Sequence, residues 1–246
     1  MTTYKHDSIV PNEGSKVNKK LQVEQMFDNI APKYDFLNRL MSLGIDIQWR
    51  KKVIKRLQAA RKGQFLDVAT GTADLAIMLA SLQPKKVIGI DISQQMLNKG
   101  DEKIIEANVQ DIVSLQKADS ENLPFADNTF DAATVSFGAR NFENLDKGLK
   151  EMYRVLSPGG ILIILEFSKV KVFPLKQLFA FYFRYITPTI GKIFSKNNTA
   201  YSYLPESVAA FPEGEEMCSI LHKIGFKNST CTPLSFGIAS IYQATK

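Results

Sequence analysis

The chain has 246 residues, 45% hydrophobic, 23% charged and 10% aromatic. That is enough apolar material for one large α/β domain, and it excludes a mainly disordered protein. A formal net charge of +6 and a pI of about 9.1 bias the chain toward anionic partners, a nucleic acid or a membrane surface, without naming one.

The first eighteen residues are polar and carry no apolar core, so 1–18 is expected to be a flexible arm, with His6 in it. From 19 to 60 the apolar residues fall at helical spacing, first Met26, Phe27 and Ile30, then Trp49, Val53, Ile54 and Leu57. Pro32 interrupts the first of these helices. The basic residues here, Lys19, Arg39 and Arg50 among them, are spread over helical turns and read as a solvated helix face.

After Gly63 the period changes. Residues 65–68 and 86–91 are short apolar runs suited to buried strands; 111–117 is a weaker third and 130–135 a fourth. Helices are expected over 74–81, through Met96 and Leu97, and over 142–156. Ser157-Pro158-Gly159-Gly160 then turns the chain into a strand over 161–166. Strands alternating with helices predict a parallel sheet covered on both faces, with ligands beyond the carboxyl ends of its strands. Near the end, 213–224 reads as a helix, and 226–232 and 238–245 as two strands near a hairpin. No repeat or linker divides the chain, so 1–246 is taken as one domain. Cys218 and Cys231 are too few for a disulfide framework and read as reduced thiols of a cytoplasmic protein.

Four features fall at successive strand ends, where one nucleoside ligand could touch them all. In Asp67-Val68-Ala69-Thr70-Gly71-Thr72 the glycine permits a tight turn and close approach of backbone to a ligand; a plain strand-to-helix turn is the alternative. Asp91 ends the second strand, where a carboxylate can accept from two ribose hydroxyls, or could cap the next helix, a task Ser93 can take instead. Asp119 and Ser120 follow the third strand, where Asp119 could accept from an adenine amino group or be an ordinary loop aspartate. Ser136-Phe137-Gly138 follows the fourth. A dinucleotide-binding fingerprint needs G-x-G-x-x-G; here Ala69, Gly71 and Asp74 stand at those places, and a carboxylate at the third would repel phosphate. The set points instead to adenosine joined to an amino acid, S-adenosyl-L-methionine.

Two stretches go further. Residues 34–49, YDFLNRLMSLGIDIQW, and 154–168, RVLSPGGILIILEFS, resemble the two signatures of the ubiquinone/menaquinone biosynthesis C-methyltransferase family, with Ser157 where lysine is usual. Leu123-Pro124-Phe125, residues 136–141 (SFGARN) and residues 201–207 (YSYLPES) are similar to it as well. The resemblance runs from about residue 19 to the end. It implies a class I, Rossmann-like methyltransferase: a mostly parallel seven-stranded sheet with an antiparallel last strand, N-terminal helices over 19–60 and a lid-like helical insertion over 169–205. It implies C-methylation of a prenylated demethylmenaquinol, a benzoquinol being the alternative acceptor. It carries cofactor contacts over to Thr72, Asp91, Asp119, Ser120 and Ser136, beside Gly71.

A ring carbon becomes nucleophilic once the neighbouring hydroxyl loses its proton, so the catalytic candidates are groups just past the fourth strand. Arg140 supplies a positive charge, Asn141 can orient a hydroxyl or water, and Tyr34 can close the pocket. The alternative for Arg140 is a salt bridge to Glu143 or Asp146. The aromatic stretch from Phe173 to Phe194 is interrupted by Arg184 and Pro188 and is no transmembrane helix. It can be a lid over an isoprenoid tail, a membrane-surface helix or core. A transient membrane contact and a homodimer stay open. Nucleic-acid methylation lacks support, since there is no Asn-Pro-Pro-Tyr motif and no Pro-Cys nucleophile. No Cys/His spacing suggests a metal, and His222 is expected at the surface or in packing.

Overall fold

In the computed structural model, which describes residues 3–174, 177 and 199–246, three helices precede the sheet: α1 (Lys19–Ile30), α2 (Tyr34–Ser42) and α3 (Ile45–Arg56). The Asn18 side chain accepts from the Leu21 N–H and starts α1. Pro32 opens a 3-10 turn, Ala31–Lys33, between α1 and α2. Gly44, at φ +75°, separates α2 from α3.

The rest alternates: β1 (Gln64–Val68), α4 (Asp74–Ala80), β2 (Lys86–Asp91), α5 (Gln94–Glu106), β3 (Val113–Lys117), β4 (Phe130–Ser136), α6 (Leu145–Val155) and β5 (Leu156–Phe167). After 199 follow α7 (Thr199–Ala210), α8 (Glu215–Ile224), β6 (Lys227–Leu234) and β7 (Ala239–Thr245). The strands form one sheet in the order β3-β2-β1-β4-β5-β7-β6. The first five run parallel; β7 is antiparallel to both β5 and β6.

Alternate residues of β1 feed opposite cores. Leu66 packs with Leu149, Met152 and Phe226 from α6 and the end of α8, whereas Phe65 packs with Trp49, Val53, Leu75 and Leu79 from α3 and α4. Each such side chain, removed from water, contributes about 1.5–3 kcal/mol. From β1 the chain winds outward to β2 and β3; β4 and β5 then extend the other side. The winding reverses between β1 and β4, and a crevice opens at their carboxyl ends.

Three expectations need correction. The segment ahead of α1 is no free arm: Lys5–Ser8 form a 3-10 turn, and His6 is fully buried with its ring 5.6 Å from that of Phe211. Burial, reinforced by Lys19, holds His6 down at about 3, hence neutral. Nor is the basic N-terminal stretch simply a solvated face. Lys19 is buried and donates to the His6 carbonyl, and Arg50 is buried among carboxylates. The turn expected at 157–160 lies inside β5, where pairing jumps from Phe130–Leu156 to Ala132–Ile161 and the intervening residues bulge out. The aromatic stretch of the lid-like insertion lies almost wholly outside the described residues. Among those described, no helix is long and apolar enough to cross a membrane.

Candidate active site at the reversal point of the sheet

The loops after β1 and β4 meet at the reversal. Ala69, Ala73 and Phe137 are non-glycine residues at φ +52°, +64° and +58°, and Gly71 is at +57°. Left-handed backbone costs a side-chain-bearing residue roughly 1–2 kcal/mol, so the surrounding contacts must impose it. A Cβ on Gly138 would stand 2.5 Å from that of Ala69; only glycine lets these loops approach so closely.

Two cavities adjoin there. The larger, ≈630 Å³, is lined by Asp91, Met96, Asp119, Ser120, Phe137 and Asn141. The smaller, ≈320 Å³, is lined by Arg50, Asp67, Thr70, Thr72, Asp74 and Ser136. Tyr34, Ala69 and Gly71 border both. The Asp91 carboxylate accepts from the N–H of Ser93 (2.9 Å) and of Gly71 (2.8 Å), joining the ends of β1 and β2. Burial raises its pKa against those N–H groups. Ser93 does cap α5, accepting from the Met96 N–H, which leaves Asp91 to the crevice. Asp119 accepts from Lys20 Nζ at 2.7 Å.

The smaller cavity holds both signs of charge. Arg50 pairs with Asp46 and lies 3.6 Å from Asp74, yet its Nε is buried without a hydrogen-bond partner, as is Ser136 Oγ. Asp67, at the end of β1, accepts from Thr70 and Thr134; burial pushes it up to about 6 against those hydroxyls and Arg50. Thr72 Oγ1 donates to Asp35 of α2 at 2.6 Å and accepts from Lys103 at 3.1 Å. Lys103 also meets Asp35 and Asp74, and Arg39 meets Asp46 and Asp74. This ionic lattice fastens α2 and α3 over the glycine loop.

On the other side of Phe137, Arg140 and Asn141 form a 3-10 turn, Ala139–Asn141. Arg140 does not pair with Glu143 or Asp146 but with Glu166, fully buried on β5, at 2.8 Å, and it also donates to the Phe137 carbonyl. Its guanidinium lies 5.4 Å above the Phe167 ring. Arg140 Nε and Asn141 Oδ1 are buried and unpartnered. The Tyr34 hydroxyl is raised by burial, opposed by its hydrogen bond with Asn38 and by Arg140 and Arg50.

The structure thus gathers Tyr34, Gly71, Asp91, Asp119, Ser120 and Asn141 around one crevice and Thr72 and Ser136 around its neighbour. Arg140, next to Asn141 in the same turn, does not itself line either cavity. Arg50, Asp67, Phe137 and Glu166 were not assigned roles from the sequence. A carboxylate ending the first strand of a nucleoside-binding sheet was a usable signal for Asp67. For Glu166 none existed, because its partner is set by packing; Arg50 stands four residues after Asp46 on one helix, a spacing at which opposite charges meet. Among the described residues no cluster of three or more His, Cys, Asp or Glu side chains could hold a metal ion.

Known proteins resemble the chain in sequence and in fold. The chain is 51% identical over 246 residues, 99% of both chains, to a demethylmenaquinone methyltransferase of Bacteroides fragilis. It is 44% identical over 227 residues to a ubiquinone/menaquinone biosynthesis C-methyltransferase of Geotalea daltonii, covering 92% of this chain and 96% of that one. Among solved structures it matches a SAM-dependent methyltransferase from Aquifex aeolicus with a TM-score of 0.59 at 21% identity, over 80% of this chain and 88% of that one, a likeness of fold. The model of the ubiE/COQ5 methyltransferase family matches residues 15–246, and the chain belongs to that family.

Proposed function

We propose that this protein transfers a methyl group from S-adenosyl-L-methionine to a ring carbon of a prenylated demethylmenaquinol. One observation carries the cofactor half of this reading: at the sheet's reversal a cavity lined by a buried carboxylate, Asp91, adjoins a second cavity of mixed charge. Adenosine joined to an amino-acid zwitterion has that distribution of polarity. Asp91 accepts from the ribose hydroxyls, and Asp119 with Ser120 faces the base. The orphaned Nε of Arg50 and Oγ of Ser136 receive the carboxylate, while Asp67 faces the ammonium. Phosphate would meet Asp67 and Asp74 and be repelled.

When bound, the sulfonium supplies an electrophilic methyl group. The chain's residues prepare the acceptor. The quinol hydroxyl loses its proton to water, the phenolate raises electron density on the adjacent carbon, and that carbon forms the new C–C bond as the S–C pair returns to sulfur. The ring then sheds its C–H proton and regains aromaticity while the oxygen takes a proton back, so that one proton is released overall. Because Arg140 is paired with Glu166, its contribution is less a free charge than a rigidly aimed donor. Asn141 and Tyr34 hold the acceptor beside Phe137. Leu43, Phe173 and Phe236, exposed at 84%, 79% and 74%, support transient contact with a membrane surface that holds a prenylated acceptor.

Calorimetry tests the first half. S-adenosylhomocysteine should bind, and methylthioadenosine, which lacks the zwitterion, should bind more weakly by at least about tenfold, the loss of one charge-assisted hydrogen bond. Equal affinities would remove the smaller cavity from the reading. The acceptor half predicts turnover of the reduced quinol and none of the oxidised quinone, since only the quinol can form the phenolate.

A further inference from the structure

We propose that Tyr203, on α7, is a catalytic residue: its hydroxyl and the Nε of Arg140 donate together to the ring oxygen beside the carbon that receives the methyl group. This rests on the acceptor reading above and adds a residue from the helix that packs on the Arg140 turn.

Tyr203 is 3% exposed, and its ring packs with Val23 and Met26 of α1. Its hydroxyl has no hydrogen-bond partner among the described residues, although it lies near enough to Arg140 and Glu166 to feel both charges. Arg140 Nε and Asn141 Oδ1 are buried and unpartnered in the same way. Helix α7 packs directly on the turn that carries them. Three orphaned polar atoms from two elements, in a protein whose other buried polar groups are mostly satisfied, mark a place built for a polar guest.

The three atoms also suit a phenol. Two donors, a hydroxyl and a guanidinium N–H, meet an oxygen that becomes anionic, while the Asn141 carbonyl oxygen accepts from a neighbouring O–H. Glu166 fixes the arrangement. It takes Arg140 Nη1 at 2.8 Å and the Arg140 backbone N–H at 3.3 Å, and leaves Nε without a partner. Burial holds the Tyr203 hydroxyl protonated well above neutrality. It therefore serves as a donor and not as a base, and the acceptor's proton leaves to water.

A single trapped water could satisfy the same three atoms, and the two cases differ in sign. With a structural water, Tyr203→Phe breaks a network and lowers the melting temperature while leaving turnover alone. With a substrate donor, the variant sheds an unsatisfied buried hydroxyl, so its melting temperature is equal or higher, yet turnover falls. The expected loss in kcat/KM for the quinol is about 10- to 100-fold, the effect of one hydrogen bond to a developing charge. The acid limb of the pH–rate profile should move up, and the affinity for S-adenosylhomocysteine should not change.

Turnover within twofold of wild type, a lower melting temperature, or a parallel loss of S-adenosylhomocysteine affinity overturns the proposal. A nitronaphthol whose anion absorbs visible light gives a reading independent of methyl transfer. Bound beside S-adenosylhomocysteine it should ionise at lower pH on wild type than on Tyr203→Phe. Should no quinol be methylated by wild type, the acceptor reading fails, and this titration alone decides the donor pair: identical titrations on the two proteins, or no binding of the probe, overturn it.

Discussion

Asp91 uses one carboxylate both to tie the loops after β1 and β2 together and to face the crevice. Asp91→Ala should weaken S-adenosylhomocysteine binding by about 100-fold, two charge-assisted bonds' worth, which calorimetry reads directly. Asp67 and His6 act on stability with opposite signs. Asp67, raised from 3.8 to about 6, binds a proton in the folded state at pH values where the unfolded chain does not, so its cost grows as pH rises from about 4 to 6. His6, lowered from 6.5 to about 3, stays neutral where the unfolded chain is protonated, so its cost grows as pH falls through that same range. Each change is on the order of 3 kcal/mol or more at about 1.4 kcal/mol per unit, and the two oppose each other between pH 4 and 6. Denaturant midpoints should therefore rise with pH in Asp67→Asn and fall with pH in His6→Leu. The same slope in both variants would show that one of these groups is not buried as described.

Among the elements, α2 is fastened to its neighbours by ion pairs, and α3 shares them while burying Trp49 and Val53 in the core. Lys103 bridges Asp35 on α2 and Asp74 on α4 while donating to Thr72 in the glycine loop. Lys103→Met should leave two carboxylates facing each other, cost about 1–3 kcal/mol, and speed hydrogen exchange over 34–42. Bound S-adenosylhomocysteine should slow that exchange, and unchanged exchange rates would detach α2 from the site. The sheet was legible in the sequence because β1, β2 and β4 are short apolar runs, and two of them end in Asp91 and Ser136, a local pattern that marks both strand and candidate site. The burial of His6 was not, because it depends on Phe211, distant in the chain. Nor was the Arg140–Glu166 pair, which links the turn after β4 to β5, 26 residues apart; sequence spacing pointed instead to Glu143 and Asp146. Thr72 illustrates the middle case: its place at the glycine loop was visible, but its bond to Asp35 exists only because α2 folds back over β1.

At the scale of the molecule, the reversal of winding at β1 and β4 puts the crevice between the N-terminal helices and the proposed acceptor side, where α7 meets the Arg140 turn. The proposed membrane contact would use the exposed Leu43, Phe173 and Phe236. Replacing all three with serine should weaken retention on anionic vesicles and leave turnover of a short-tailed, water-soluble quinol unchanged; equal retention would remove membrane contact from the account. The most direct test supplies S-adenosylmethionine with a trideuterated methyl group, together with demethylmenaquinol and, separately, a demethylated benzoquinol, and locates the label by mass spectrometry. The account predicts one intact deuterated methyl on a ring carbon of the naphthoquinol. Label on oxygen, or no label in either quinol while S-adenosylhomocysteine still binds, would contradict it.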